Sequence, residues 1–471
     1  MANIKPFKGY FYNSEKVGDI SSVLTPATYN LGEDERLALY ESNEYNAVRI
    51  FEGKENEGDT ETSNKYTRAG EYLRKWIADG VLVRDEEEAI YLYEETVEIH
   101  GNKFQNLTFV ALLEIEELGG NVRTCEEIRT ISQKDRYALL ENTNADMSMI
   151  SCLYIEHSKE LLHLMNTLSN TSPDLVLESP YDLLQRVWRI TDKETIDKIM
   201  NCFKNLKLYI TDGQTRYTTC LEYRDYMRAK NPNHTGKEPY NYTMVSLIDS
   251  NSDGVAIMPR HKMLKLQDGF SENYFTVLAQ EHFKVEKIIV DLQDNSIIDT
   301  MKKQIQTKRL KTCLAVYSGG DYFYRLTLND PDYIKKNLLT EKSDYYCGLD
   351  TVVLKKLIIE DIFGISDGYD DKVMTSISTA ECIKALENGE ADVMFVLNPV
   401  KVEEIEGVTG AGEKMPYKSL SIFPKPIVGL IINVKDEQKY FKKDLTNYTP
   451  YVIITRWPHR NGFLNVQAYR N

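Results

Sequence analysis

The segment Leu208-Tyr-Ile-Thr-Asp-Gly-Gln-Thr-Arg-Tyr-Thr-Thr219 sets an apolar run against Asp-Gly and then against a polar run. Lys207–Ile210 reads as a strand ending at Thr211-Asp212-Gly213, and a helix is predicted from about Thr215 to Arg228. Such a junction turns amide N–H groups and the positive end of a helix dipole toward any nearby anion. Gly213 lets the backbone approach closely. Arg216 has the fork that grips phosphate or carboxylate, and Asp212 could take a proton or hold a metal ion. The plainer alternative has Asp212 capping the helix and Arg216 pairing with an acid.

Outward from this junction, strands and helices interleave. Asp192 caps a helix to Leu206, with Ile196, Ile199, Met200 and Phe203 on one face. Further helices are expected over Tyr66–Ile77 (stopped by Gly80), from Ser132 through Leu140, over Thr379–Glu387 and over Val402–Thr409. Strands are expected at Ala89–Val97, Leu107–Ile115, Met149–Ile155, Tyr242–Asp249, Val255–Met258, Val285–Val290, Cys313–Tyr317, Tyr322–Leu326, Ala391–Leu397 and Ile427–Ile432. The class is α/β, with α+β as the alternative. Boundaries are placed to give residues 1–175, 176–330 and 331–471.

The chain has 471 residues, a net charge of −15 and 31 tyrosines. That charge repels a phosphate backbone, so nucleic acid is not an expected partner. The basic run from Lys302 to Lys311 reads as a solvated helix face. The seven cysteines form no CxxC pair, which argues against zinc and disulfides and for a reducing compartment. Residues 1–19 lack an apolar leader core, and no run approaches 18 apolar residues. The expected location is therefore cytoplasmic, with no membrane partner.

Met415-Pro-Tyr-Lys-Ser-Leu-Ser-Ile-Phe-Pro-Lys425 carries Lys418, Ser419, Ser421 and Lys425 on a stretch stiffened by proline. It suits phosphate oxygens or, more plainly, an edge strand with solvated lysines. Asp249–Gly254 resembles half a calcium loop, but the twelfth position is Arg260, so it reads as a turn. His261, after Met258-Pro-Arg, is a candidate acid or base, or a structural histidine. Glu126-Glu127 and Asp135-Arg136 offer carboxylates near a helix start, where capping and surface pairing are the plain reading. No dedicated metal-ligand set is evident.

Seven ordered segments resemble the domain of unknown function 1015 family, which is similar to the ParB/sulfiredoxin-like superfamily. They are Leu24–Asn30, Asn43–Arg49, Leu73–Leu82, Lys134–Leu140, Ile210–Tyr217, Ile257–Lys262 and Met415–Lys425. The resemblance implies a mixed sheet with a ParB/sulfiredoxin-like core and an additional α/β region. It implies nucleotide-dependent phosphoryl transfer to a small hydroxyl compound of serine type, using ATP or ADP with Mg2+. It further implies that Asp212 is catalytic, with Glu126 and His261 as further catalytic candidates if they share its cleft. Gly213, Gln214, Thr215, Arg216, Lys418, Ser419 and Lys425 would bind phosphate, with Tyr29, Asn30 and Arg136 completing the pocket. The chain departs from the family pattern at each polar motif. Gln214 and Thr215 replace two histidines, Asn30 replaces an acid, Cys125 replaces a histidine and Leu420 replaces a threonine. Such changes are those of a diverged member, and the alternative function is a nucleotide- or metabolite-binding module without turnover.

Overall fold

The computed structural model describes residues 2–26, 32–99, 102–127, 133–179, 183–291, 296–306, 312–366 and 372–435. The class is mixed α/β. A nine-stranded sheet runs in the order Val122–Thr124, Leu208–Asp212, Ile150–Tyr154, Tyr242–Asp249, Asn102–Glu114, Ile90–Ile99, Leu183–Ile190 and Leu175–Ser179. Ile4–Lys5 is added beside Asn102–Glu114. Leu208–Asp212 pairs parallel with Val122–Thr124, as Tyr242–Asp249 does with Ile150–Tyr154; the other pairings are antiparallel. The boundary expected near residue 175 falls within this sheet, at its edge strand.

Side chains alternate across a strand, so each strand feeds two interiors. On one face Leu92, Phe109, Cys152, Ile210 and Leu247 pack with Leu161 and Met165, with Ile196, Ile199 and Phe203, and with Tyr217 and Cys220. These come from the helices Glu160–Ser169, Lys193–Phe203 and Gln214–Lys230. On the other face Leu153, Tyr209 and Ile248 pack against Leu314, Leu326, Val353, Phe395 and Ile422. Each such fully buried aliphatic or aromatic side chain contributes about 1.5–3 kcal/mol.

That second face meets a six-stranded antiparallel sheet ordered Phe283–Ile289, Tyr322–Leu328, Cys313–Tyr317, Val393–Val396, His261–Leu264 and Val373–Ser376. Between the two sheets, Ala256–Pro259 pairs with Leu420–Phe423. The late chain then pairs Asn433–Val434 with Ala145–Asp146 in a separate two-stranded sheet.

Two expectations need correction. Ile427–Ile432 is not a strand. It makes isolated bridges, Val428 with Thr25 and Ile432 with Tyr10, around Gly429 at φ 89°. An apolar run of this length is buried at every position, and burial alone does not distinguish a strand from a packed irregular segment. The Met415–Lys425 stretch is extended only over Leu420–Phe423, since Lys418 enters it at φ 55°. The Ser132 helix start lies outside the described residues; the helix itself covers Gln133–Thr143.

The turn after Tyr242–Asp249 presses its Gly254 onto the neighbouring strand. A Cβ there would lie 1.3 Å from the Gln105 carbonyl oxygen and 2.7 Å from the Asn106 nitrogen. Backbone cannot yield as a side chain tip does. Gly254→Ala is expected to destabilise the fold by at least ~3 kcal/mol. Urea denaturation would read this as a lowered midpoint at unchanged slope.

Candidate functional site

Leu208–Asp212 ends at Gly213, which adopts φ 81° and serves as N-cap without a side-chain hydrogen bond, and the helix Gln214–Lys230 follows at once. A Cβ on Gly213 would meet the Arg216 guanidinium at 2.8–3.1 Å, so the bare backbone is what lets Arg216 fold over the turn. Asp212 does not cap the helix. Its Oδ2 accepts from Arg216 Nη2 at 3.0 Å and its Oδ1 accepts from Lys425 Nζ at 2.7 Å. All three side chains are largely shielded, at 14–19% exposure, so the pairs lie in a screened, low-dielectric place. Arg216 also donates to the Ser148 hydroxyl. Among the described residues the cluster sets two cations against one carboxylate, at the positive end of a 17-residue helix. Gln214 presents a buried amide oxygen with no hydrogen-bond partner among the described residues. Thr215 sits beside it in the first turn, where its carbonyl accepts from Thr218 and Thr219.

Arg136 and Arg216 line one cavity of about 40 Å³, shared with Asp146, Ser148 and Thr219. That is room for ordered water. Arg136 also grips the Glu52 carboxylate and lies over the Phe51 ring at 4.8 Å. Beneath the cavity a buried ion pair missed by sequence reasoning, Asp146 with Lys435 at 2.8 Å, also takes the Asn433 amide and the Met244 N–H. Tyr29 and Asn30 lie outside the described residues.

The other expected residues form a second centre. Glu126 is half-buried; its Oε1 accepts the backbone N–H groups of Ser419 and Leu420 at 2.8 and 2.7 Å. Burial raises its pKa, against those two hydrogen bonds and the charges of Arg260 and Lys262. The Ser419 hydroxyl donates to the Pro416 carbonyl. Buried Lys262 donates to the Lys418 carbonyl at 2.8 Å, and the Lys418 ammonium lies 5.4 Å from the Tyr417 ring centre. Glu126, Ser419 and Lys418 thus fasten the late segment to the sheet. Asp212, Gly213, Gln214, Thr215, Arg216 and Lys425 are the expected residues brought together at one turn.

His261 stands in the second sheet. Its Nδ1 accepts from the Leu397 N–H at 3.2 Å and its Nε2 meets the Thr379 hydroxyl at 3.0 Å. Both ring nitrogens are thus engaged inside the protein, away from the Asp212 turn.

A further polar group went unread in the sequence. Gln185, Glu95 and Asn106 stand directly opposite one another on three adjacent strands, and Tyr93 stands opposite Thr108 one step along. All five are buried. Among the described residues, both polar atoms of the Gln185 amide, Asn106 Oδ1 and Thr108 Oγ1 lack a hydrogen-bond partner, and the Glu95 carboxyl has only the neighbouring Tyr93 hydroxyl beside it. Each such atom costs about 1–3 kcal/mol if left bare. Glu94, one residue earlier and on the opposite face, is fully engaged by Arg186, Gln105 and Thr96. The signal available in the sequence was the phase of the strand: Tyr91, Tyr93 and Glu95 share the inward face.

Among the described residues no group of three or more His, Cys, Asp or Glu is placed to hold a metal ion, and no helix is long and apolar enough to cross a membrane. The family model described as "Protein of unknown function (DUF1015)" matches residues 4–352. No curated protein matches the sequence. Among solved structures, a conserved hypothetical protein from Pyrococcus furiosus is 12% identical, covering 68% of this chain and 94% of its own, with a TM-score of 0.30. A free serine kinase in complex with AMP is 11% identical, covering 68% and 90%, at 0.30. SbnI from Staphylococcus aureus, with a C-terminal truncation, is 12% identical, covering 71% and 90%, at 0.33. Superpositions this loose carry no argument about the present chain.

Burial, with the charges of Lys302 and Lys262, holds the His261 imidazole down at about 4, against 6.5 when exposed. The unfolded chain therefore binds the extra proton between those values, and stability falls as pH drops from 6.5 to 4. The loss should reach ~3 kcal/mol. Urea midpoints measured across that window should fall less steeply in His261→Gln, by about one proton's worth of slope.

Proposed function

The chain belongs to the DUF1015 family, and from that premise we propose that it performs nucleotide-dependent phosphoryl transfer to a small hydroxyl compound of serine type. The observation that carries the reading is the convergence of Arg216 and Lys425 on Asp212 at the glycine-led N-terminus of the Gln214–Lys230 helix. Two cations beside a helix N-terminus suit a terminal phosphate, and in this reading the carboxylate between them receives a proton. In this reading the acceptor oxygen forms its bond to the terminal phosphorus as the bond to the bridging oxygen breaks. The hydroxyl proton passes to Asp212, and the shortened nucleotide leaves with the bridging oxygen. Arg216 and Lys425 exchange part of their hold on Asp212 for the phosphate oxygens. Magnesium would come with the nucleotide, since among the described residues no group of three or more His, Cys, Asp or Glu is placed to hold it. A ParB/sulfiredoxin-like core and a cytoplasmic setting belong to the same proposal.

A second reading, binding without turnover, is favoured by one specific observation. Glu126 and His261, the other two candidate catalytic groups, spend their hydrogen-bonding capacity on the fold. Of the three candidates, that leaves Asp212 without an acid–base partner at the turn.

Phosphorus NMR with magnesium, ATP or ADP, and L-serine separates the two. A phosphomonoester resonance that needs both protein and serine supports transfer; broadened nucleotide lines without it support binding alone. Arg216→Ala is expected to weaken nucleotide binding at least tenfold. Asp212→Asn removes the competing charge, so it should bind nucleotide as tightly or more tightly while abolishing transfer. Calorimetry on both variants checks this, and unchanged affinity in Arg216→Ala would remove the turn from the phosphate site.

A further inference from the structure

The polar row on the first sheet has a chemistry of its own. Glu95 and Gln185 are 1% exposed, Thr108 is 1% and Asn106 is 3%. Strand pairing puts them on one face, Gln185 against Glu95 and Glu95 against Asn106, with Thr108 two residues along from Asn106. This is the face turned toward the second sheet, since Thr108 continues through Ile248 and Leu153 to Tyr209, which pack there. The Ile427 backbone closes over the Tyr93 hydroxyl, and Gly254 closes against the strand at Gln105. Buried polar atoms are almost always satisfied, by protein, by water or by a ligand. Here several adjacent ones are left bare by the described residues, although the same strand satisfies Glu94 with three partners on its other face.

The composition of the row selects its occupant. Asn106 Oδ1, Gln185 Oε1 and the two Glu95 oxygens are acceptors, and among the described residues no Lys or Arg is bonded to the Glu95 carboxylate. An anion would find mostly oxygen acceptors where it needs donors, and a nonpolar group would leave every atom bare. A small primary amine that also bears hydroxyl groups satisfies both needs: its ammonium donates to acceptors, and its hydroxyls meet the Thr108 hydroxyl and the Gln185 amide. We propose that Gln185, Glu95, Asn106 and Thr108 form a buried binding site for a small hydroxylated amine, with Glu95 as the counter-ion. The site lies four strands from Asp212 in the sheet order, about 19 Å away at the usual strand spacing. It is therefore distinct from the phosphate-binding turn and does not depend on phosphoryl transfer.

One consequence distinguishes the site from a water-filled seam. Burial pushes the Glu95 carboxyl well above its ordinary range, offset in part by the Tyr93 hydroxyl, so the empty site favours the protonated acid. Receiving an ammonium group requires the carboxylate, so binding releases a proton and strengthens as pH rises toward the pKa of the amine.

The test uses the full chain and an isosteric pair, 2-amino-1,3-propanediol and glycerol, by titration calorimetry in two buffers of different ionisation enthalpy. The amine is expected to bind at least tenfold more tightly than glycerol, with release of up to one proton. Glu95→Gln, which keeps the shape, should erase both the preference and the proton release. Asp212→Asn should keep both, so loss of nucleotide chemistry and loss of amine binding are separable. Equal affinity for the two probes, no binding of the amine, or an amine preference that survives Glu95→Gln would each overturn the proposal. A crystal structure grown with the amine that holds only ordered water in the row would do the same.

Discussion

The Asp212 carboxylate is shared between a cation four residues ahead and another 213 residues ahead. The first contact shapes the turn locally, and the second closes the chain on itself. A carboxylate in a shielded place is costly unless paired, so Asp212 requires its partners as much as it positions them. Glu126 makes the same kind of demand, reaching 293 and 294 residues along the chain for its two N–H donors. Asp146 makes it a third time, with Lys435. Three acids on or beside the first sheet thus fix the path of the late segment, and that path carries Lys425 to the turn.

This arrangement bears on kinship. The family match ends at residue 352, whereas Lys425, the Ser419 and Leu420 amides and Lys435 all lie beyond it. The turn itself is inside the matched stretch, and its second cation is not. Divergence in the late segment can therefore alter the charge at Asp212 without touching the strand or the helix that frames it.

Much of the framework was legible because periodicity is a local property. Tyr242–Asp249, Cys313–Tyr317 and Thr379–Glu387 stand where alternation and capping place them, and Asp192 caps its helix as its position suggests. The strands Leu175–Ser179 and Leu183–Ile190 went unread because their polar and charged residues mask the alternation. At the site, the strand–glycine–helix junction and Arg216 were visible, as was Lys425 as a cation on a stiffened stretch. What joins them was not. Nothing near Glu126 in the sequence announces burial, since its donors arrive from the far end of the chain. His261 was readable as a histidine beside a strand end, but only the pairing of that strand with Val393–Val396 brings the Leu397 N–H to its ring.

The late closure has a bearing on how the molecule is made. During synthesis the strand carrying Asp212 leaves the ribosome long before Lys425 does. For the translation of more than two hundred residues, the carboxylate, the Arg216 guanidinium and the seam beneath Ile427 lack their final cover. Contacts this distant in sequence close slowly and leave apolar and polar surface waiting together. The nascent first sheet is then the stage at which a chaperone would find most to hold, and a stop codon anywhere before residue 425 would yield a chain with its framework largely encoded and its site unfinished.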